Sequence, residues 1–170
     1  YDYPYLSSSA NHIFDVTFGV SSKAGSGNYS SLTTQQAKKK NIYNQMAQVL
    51  VGYDITGSVL DFDIDGNILA GGGKHRDVFI VPFSRLLVKD EIKKGSFSMK
   101  LGVAQAYATQ FNDVITITDA SGSDGYFVNS PAGEYGLLFA ANSKNTPLAT
   151  NNVACGLLYY QAGICVITAS

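Results

Sequence analysis

From Gly52 onward, hydrophobic residues recur at every second position, and turn-forming residues interrupt them every eight to twelve positions. This spacing is typical of short antiparallel strands in a meander or a sandwich. We predict strands at residues 59–65, 67–70, 78–83, 96–103, 114–119, 125–129 and 135–140, followed by a hairpin of residues 153–160 and 164–169. Asp65-Gly66, between the first two strands, fits a type I′ hairpin turn.

One helix is predicted ahead of these strands. Thr33 and Gln36 form a capping-box pattern, and Gly52 is placed to end the helix after Val51. The apolar stripe that we expect to be buried is Ile42, Met46, Val49 and Leu50, widened by Tyr43 and Ala47. The sequence therefore predicts a single mainly β (α+β) domain over residues 1–170, an antiparallel β-sandwich or meander with one amphipathic helix packed on it.

The region before the helix predicts one further strand and a loop. Residues 12–18 alternate so that Phe14, Val16 and Phe18 share a face, which we expect to point into the core. Residues 21–32 are rich in Ser and Gly, a composition that predicts a flexible loop.

The composition contains few groups that can do chemistry. Only 15% of the residues are charged, and there are two His, two Cys and no Trp. The net charge of −1 gives no uniform field that would attract phosphates or anionic lipids, so we expect neither nucleic acid nor a membrane as a partner. The chain begins at Tyr1 rather than Met, and we expect a processed product or part of a longer protein.

Three aspartates in a row of alternating positions resemble half of a calcium-binding loop. Asp61, Asp63 and Asp65 are followed by Gly66, as in the first half of an EF-hand, but Gly72 occupies the twelfth position, where a bidentate Glu is needed. We expect the aspartates to alternate along a hairpin, with Asp61 and Asp63 on one face. A weakly bound cation remains the alternative.

Two other motifs are incomplete. The Gly-rich run 71–74 has Ile68 and His75 at the positions where a phosphate-binding loop needs Gly and Ser or Thr, and we interpret it as a hairpin tip. His75, Asp77 and Ser84 supply the residue types of a hydrolytic triad, but no Gly-x-Ser-x-Gly occurs in the chain. We therefore predict no catalytic, metal-binding or cofactor-binding residues, no cofactor and no enzymatic activity.

The two cysteines lie on opposite strands of the predicted final hairpin. If Tyr160 sits opposite Gly163 or Ile164, the sulfurs of Cys155 and Cys165 are about three rungs, or ~10 Å, apart. A disulfide needs Cα atoms within about 7 Å. We expect two buried free thiols, with an intrachain bridge as the alternative.

Tyrosine is frequent, with eleven residues, and it is enriched at protein interfaces and on carbohydrate-contacting surfaces. The clusters are Tyr1, Tyr3 and Tyr5 at the start and Tyr159 and Tyr160 near the end. We predict that residues 1–10 form an arm that docks on a neighbouring subunit, with a frayed terminus as the alternative.

Residues 79–85 and 89–97 combine a strand ending in Arg, a short turn of Lys and acidic residues leading to Gly, and another strand. With residues 115–119, 131–136 and 156–164, they resemble a recurring pattern in virion structural proteins of tailed phages, especially marine and cyanobacterial phages with contractile tails. The resemblance implies a virion component and brings no catalytic residues. We expect Arg85, Lys89 and Glu91 in its charged turn to contact neighbouring subunits, and Asp90 to pair with Lys94.

Two functions follow as hypotheses. The first is a virion structural or assembly protein in the tail, baseplate, fibre attachment or capsid surface, located in the extracellular particle. It would pair edge strands with copies of itself and with other virion proteins, as a homo-oligomer or part of a larger assembly. The alternative is a glycan-binding module on a secreted protein or particle surface.

Overall fold

The computed structural model describes residues 12–23, 34–68, 72–83, 90–102, 114–119, 125–141 and 154–169. Several predictions concern residues outside these ranges: the arm 1–10 with Tyr1, Tyr3 and Tyr5, the loop beyond Lys23, Thr33, Ser84, Arg85 and Lys89.

The described residues form one α-helix and ten β-strands. The elements are α1 (Thr34–Leu50), β1 (Thr17–Val20), β2 (Phe62–Asp63), β3 (Lys74–His75), β4 (Asp77–Pro82), β5 (Ser98–Gly102), β6 (Val114–Thr118), β7 (Phe127–Ser130), β8 (Gly133–Ala141), β9 (Gly156–Tyr159) and β10 (Ile164–Thr168). The prediction of a mainly antiparallel β fold with one helix is confirmed.

Eight strands form one curled antiparallel sheet in the order β1-β4-β10-β9-β8-β6-β5, with β7 also paired to β8. The long strand β8 makes the sheet continuous: Tyr135 to Leu138 pair with β9, whereas residues 139–141 pair with β6. β2 and β3 form a separate two-stranded ribbon. Among the described strands, β1 and β5 lie at the two ends of this order, and β7, beside the path, pairs with β8 alone.

The helix covers one face of the sheet. Its Tyr43 packs against β1 at Gly19, where an added Cβ would come within 3.1 Å of the tyrosine backbone. At its other end, the carbonyl of Leu50 accepts a hydrogen bond from Ser130 Oγ in β7. The residues of this helix-side core are Tyr43, Ala47, Leu50, Val51, Phe62, Val78, Ile80, Tyr135, Leu157, Tyr159 and Val166.

The predicted helix is confirmed, and so is its buried stripe except for Val49, since Ile42 and Met46 also pack on the helix-side core. Tyr43, Ala47 and Leu50 are fully buried, whereas Val49 is 64% exposed and was wrongly assigned to the buried stripe. The close approach at Gly19 brings Tyr43 to the centre of the contact and carries Val49 away from the sheet. Gly52 adopts a φ of 95° and donates its N–H to the carbonyl of Ala47 at 2.9 Å, which ends the helix as predicted.

The opposite face has its own core, which we call the second core, because successive strand residues point to alternate sides of the sheet. Its buried members are Val81, Ile117, Leu138, Leu158, Tyr160, Cys165 and Ile167. The curl of the sheet brings β5 and β6 over this face, so that Met99 and Ile115 pack on it together with Ile92 and Phe97 from the segment before β5.

A buried carboxylate fixes that segment. Asp119 accepts hydrogen bonds from the backbone N–H groups of Gly95 and Phe97 at 2.7 and 2.9 Å, and from Tyr160 Oη at 3.2 Å. Asp119 is 1% exposed. Its three donors compensate for the loss of hydration that burial imposes on a carboxylate.

Two local predictions about strands are wrong. β1 begins at Thr17 and not at His12, so Phe14 and Val16 remain exposed instead of entering the core. The strands beside Asp65-Gly66 do not form a two-residue hairpin either, because β2 pairs with β3 across a longer loop. Asp63 Oδ2 accepts the N–H of Ile68 at 2.7 Å, which turns the chain away after Gly66.

The final hairpin has one of the two predicted registers, with Tyr160 opposite Gly163. Ile164 lies opposite Tyr159, so Cys165 faces Leu158, and Thr168 donates its N–H to the carbonyl of Cys155. Both cysteines are free thiols, and burial raises the pKa of Cys155 to about 11.

Candidate interaction surface

The aspartates of the calcium-like sequence are engaged by protein groups. Asp61 accepts a 2.6 Å hydrogen bond from Ser21 Oγ, and its Oδ2 lies 3.6 Å from Arg76. Asp63 forms an ion pair with Lys74 at 3.1 Å, in which both side chains are largely buried. These contacts join β2 to β3 and to the end of β1, so the carboxylates have a structural role.

The same contacts change the interpretation of the Gly-rich run. Lys74 belongs to β3 and is buried against Asp63, so it does not lie at an exposed hairpin tip. His75 is also buried, and its Nε2 has no hydrogen-bond partner among the described residues. Burial lowers the pKa of His75 to about 4, which keeps the imidazole neutral near pH 7.

Within the described ranges, no three or more His, Cys, Asp or Glu side chains are grouped to hold a metal ion. No helix in the described part has the length and apolar character needed to cross a bilayer.

The β1 end of the sheet carries a group of apolar side chains, which we call the aromatic patch: the exposed Phe14, Val16 and Phe79 and the half-buried Phe18. Phe18 and Phe79 are paired across β1 and β4, with ring centroids 5.2 Å apart. Phe14, Val16 and Phe79 are 45%, 59% and 42% exposed. Side chains of this size in one place are a feature of interaction surfaces rather than of solvated surface.

The patch lies on the face that β5 and β6 cover at the other end of the sheet. Phe14 contacts Phe83 with ring centroids 6.3 Å apart, and Phe83 in turn contacts Phe97 at 5.8 Å. Lys39 Nζ lies 5.2 Å from the Phe18 ring and borders the patch on the helix side. The aromatic patch therefore continues the second core to the surface.

β5 forms the other end of the sheet and is exposed along most of its length. Ser98, Lys100, Leu101 and Gly102 are exposed, and Met99 packs on the second core. A strand at the end of a sheet presents unpaired backbone groups, and the charge of Lys100 is a feature that discourages indiscriminate pairing.

The charged turn of the sequence analysis is only partly described. Glu91 is exposed, as an interface residue must be in the free subunit, and its predicted contact remains untested. Lys94 forms an ion pair with Glu134 instead of the predicted pair with Asp90. The hydrogen bond to Glu134 raises the pKa of Lys94, whose Nζ also lies 4.7 Å from the Tyr126 ring.

Most described tyrosines serve the core. Tyr43, Tyr135, Tyr159 and Tyr160 are buried, whereas Tyr53 and Tyr126 are exposed. Tyr159 and Tyr160, the second cluster of the sequence, are core residues, because β9 and the residue after it lie in the middle of the sheet, between β8 and β10.

The aromatic patch was missed as a candidate surface because its residues were assigned to the core. The alternation of residues 12–18 was a usable signal, since it placed Phe14, Val16 and Phe18 on one face. Comparisons with models of protein families, with curated proteins and with solved structures found no match for the chain.

Proposed function

We propose that this chain is a structural or assembly protein of a tailed-phage virion and that it works through protein–protein contacts. The observation that carries the proposal is the aromatic patch, where three large apolar side chains remain exposed beside an end strand of the sheet. The resemblance of residues 79–97 and the later segments to virion structural proteins supports the particle as its location.

The polar groups of the described part favour an assembly role over catalysis. Asp63 and Lys74 pair within the ribbon, Asp61 joins the ribbon to the end of β1 through Ser21, and Asp119 holds the segment before β5. A glycan-binding module would instead need exposed aromatic rings near free polar groups. Tyr53 and Tyr126 are the tyrosines that could serve it.

A particle-incorporation experiment tests the proposal. A tagged chain expressed during phage assembly should remain with the particles through density-gradient purification. Val16→Asp should reduce the retained tag roughly tenfold, because burying an unpaired carboxylate at an interface costs more than 1.4 kcal/mol. Val128→Asp is the matched control, since Val128 is equally exposed on β7 away from the patch, and it should leave retention unchanged.

The opposite result would support the glycan-binding alternative. Loss of the wild-type tag during purification would contradict the assembly role. A monomer whose melting temperature rises when an oligosaccharide is added would then identify a binding module, because a ligand stabilises the state that binds it.

A further inference from the structure

We infer that copies of this chain join head to tail through the edges of β1 and β5 that are unpaired among the described strands, which we call the open edges. The open edge of β1 in one copy pairs in parallel with the open edge of β5 in the next. The inference rests on the proposed assembly function and names its partner, a second copy of this chain. β1 and β5 are the two ends of the sheet order, so this contact would extend one sheet through successive copies.

The topology fixes the relative direction of the two edges. The path from β1 to β5 contains seven strands, and each of the six neighbouring pairs is antiparallel. Six reversals return the chain to its original direction, so β1 and β5 run the same way. A copy that continues this sheet with the same face inward therefore presents β5 parallel to β1, and because each sheet is curled, successive copies would be rotated relative to one another.

Backbone hydrogen bonds show which residues of β1 face outward. The N–H groups of Asp15 and Ser21 donate towards β4, to Pro82 at 3.3 Å and to Arg76 at 2.7 Å. Alternate residues of a strand direct their N–H and C=O groups to the same edge. Val16 and Phe18 therefore direct theirs to the open edge.

The same reasoning applies to β5. Phe97 donates its N–H to Asp119 Oδ1 at 2.9 Å, so this N–H points towards β6. Phe97 and Asp119 also lie opposite each other when the β5–β6 pairing of Ser98 with Thr118 is continued by one residue. Ser98, Lys100 and Gly102 then direct their backbone groups away from β6, to the open edge.

In a parallel ladder, the N–H and C=O of an outward-facing residue on one strand form hydrogen bonds with two residues of the other strand. These two residues are the ones before and after the residue that lies directly opposite. Val16 can therefore bond Lys100 and Gly102 of the next copy when it lies opposite Leu101. In this register the facing pairs are Phe14 with Met99, Asp15 with Lys100, and Val16 with Leu101.

This register matches both polarity and charge. The apolar pairs lie on the face of the second core, where Phe79 and Phe97 also lie. Asp15, which contacts His12 Nε2 at 3.0 Å and stays mostly exposed, meets the exposed Lys100. A shift of one residue would remove the backbone hydrogen bonds, and a shift of two would separate the charges. Opposite charges facing each other across strands stabilise a pair by roughly 0.2 to 1 kcal/mol.

Two-fold pairing of like edges fits less well. After Phe18, β1 is not accessible to a second strand, since Val20 and Ser21 are buried and Ser21 Oγ donates a hydrogen bond to Asp61. Antiparallel pairing of two β5 strands about Lys100 would place two ammonium groups opposite each other.

Cysteine cross-linking tests the pairing directly. Asp15→Cys and Lys100→Cys are prepared as separate single variants, both at exposed positions. A mixture of the two should form a disulfide-linked dimer under mild oxidation, whereas neither variant alone should do so. A mixture of Lys100→Cys with Thr56→Cys, an exposed position on a distant turn, is the control and should remain monomeric on a non-reducing gel.

Proline scanning supplies an independent readout. Lys100→Pro removes an N–H that faces outward and spares the β5–β6 ladder, so the fold should be retained by circular dichroism. Sedimentation should show self-association weakened roughly tenfold, about the effect of losing one hydrogen bond and its neighbouring contacts. Lys100→Ala keeps the N–H and should change association much less.

The outcomes separate the inference from the proposed function. Cross-linking of Lys100→Cys with itself would show two-fold pairing and overturn the head-to-tail arrangement. A wild-type chain that is retained in particles but is monomeric alone, or that associates without the mixed cross-link, would also overturn it while leaving the assembly function intact. Failure of both retention and association would reject the function as well.

Discussion

The two faces of the main sheet differ in how completely the chain covers them. On the helix side, α1 and the β2–β3 ribbon bury a cluster that extends from Tyr43 to Tyr135. On the other side, β5, β6 and the segment before them cover only part of the sheet, and Phe14, Val16 and Phe79 stay exposed. Burial on the helix side is therefore the more complete of the two, and part of the opposite face remains free for contacts.

The two faces also differ in the buried hydrogen bonds that fix their covering segments. On the helix side, Tyr43 Oη donates to the carbonyl of His75 at 2.7 Å and accepts the N–H of Phe62 at 3.1 Å, so one buried hydroxyl joins helix and ribbon. Burial raises the pKa of Tyr43 far above its ordinary value, which keeps this donor protonated. On the opposite face, Asp119 anchors the segment before β5, and no described polar side chain does the same for the aromatic patch.

The largest effect should come from the helix-side core. Leu50→Ala should lower the free energy of unfolding by about 2 to 5 kcal/mol, because Leu50 is fully buried and its removal leaves a cavity. Urea denaturation followed by circular dichroism measures this difference.

The neighbouring residue provides a matched control. Val49→Ala removes an apolar side chain that is mostly exposed, so it should change the free energy of unfolding by less than about 0.5 kcal/mol. Equal costs for the two variants would mean that the helix packs with a different face and that the contrast between the two sides is wrong.

How far the sequence predicts this molecule depends on how local the deciding interactions are. The helix, its end at Gly52 and the register of Cys165 with Leu158 follow from residues close together in the chain, and all three are confirmed. Alternation correctly grouped Phe14, Val16 and Phe18, but it shows only that residues share a face. Whether another element covers that face depends on how far β5 and β6 curl over it.

The roles of the acidic residues were equally hidden from local patterns. Asp63 meets Lys74 only because β2 pairs with β3, and Asp119 reaches Gly95 and Phe97 only because β6 pairs with β5. A pattern of spacing along the chain does not contain these partners. For that reason the calcium-like sequence looked more like a candidate binding site than it is.

Acid should lower the free energy of unfolding through His75, which lies in the β3 strand of the ribbon. Its pKa falls from the ordinary 6.5 to about 4 on folding, so protonation favours the unfolded chain. The contribution of neutral His75 to the free energy of unfolding is therefore complete above pH 6.5, and it is lost as the pH falls from 6.5 towards 4. At pH 5 the loss should be about 2 kcal/mol, measured as the difference in unfolding free energy from pH 7.5.

Replacement of the titrating group isolates this contribution. His75→Gln should remove about 2 kcal/mol of pH dependence between pH 7.5 and 5, whatever its effect on stability at neutral pH. Parallel pH profiles for the variant and the wild type would show that His75 is protonated equally in both states, and so is not held neutral by burial.

A smaller effect than those of Leu50 and His75 should come from the open side. Phe79→Ala removes a ring that is 42% exposed and contacts Phe18, so in dilute solution it should cost about 1 kcal/mol or less, well below Leu50→Ala. The measurement is the unfolding free energy at several protein concentrations. A cost as large as that of Leu50→Ala at the lowest concentration would mean that the chain itself covers Phe79. A cost that grows with concentration would mean that a second copy covers it, because association stabilises the folded state by mass action.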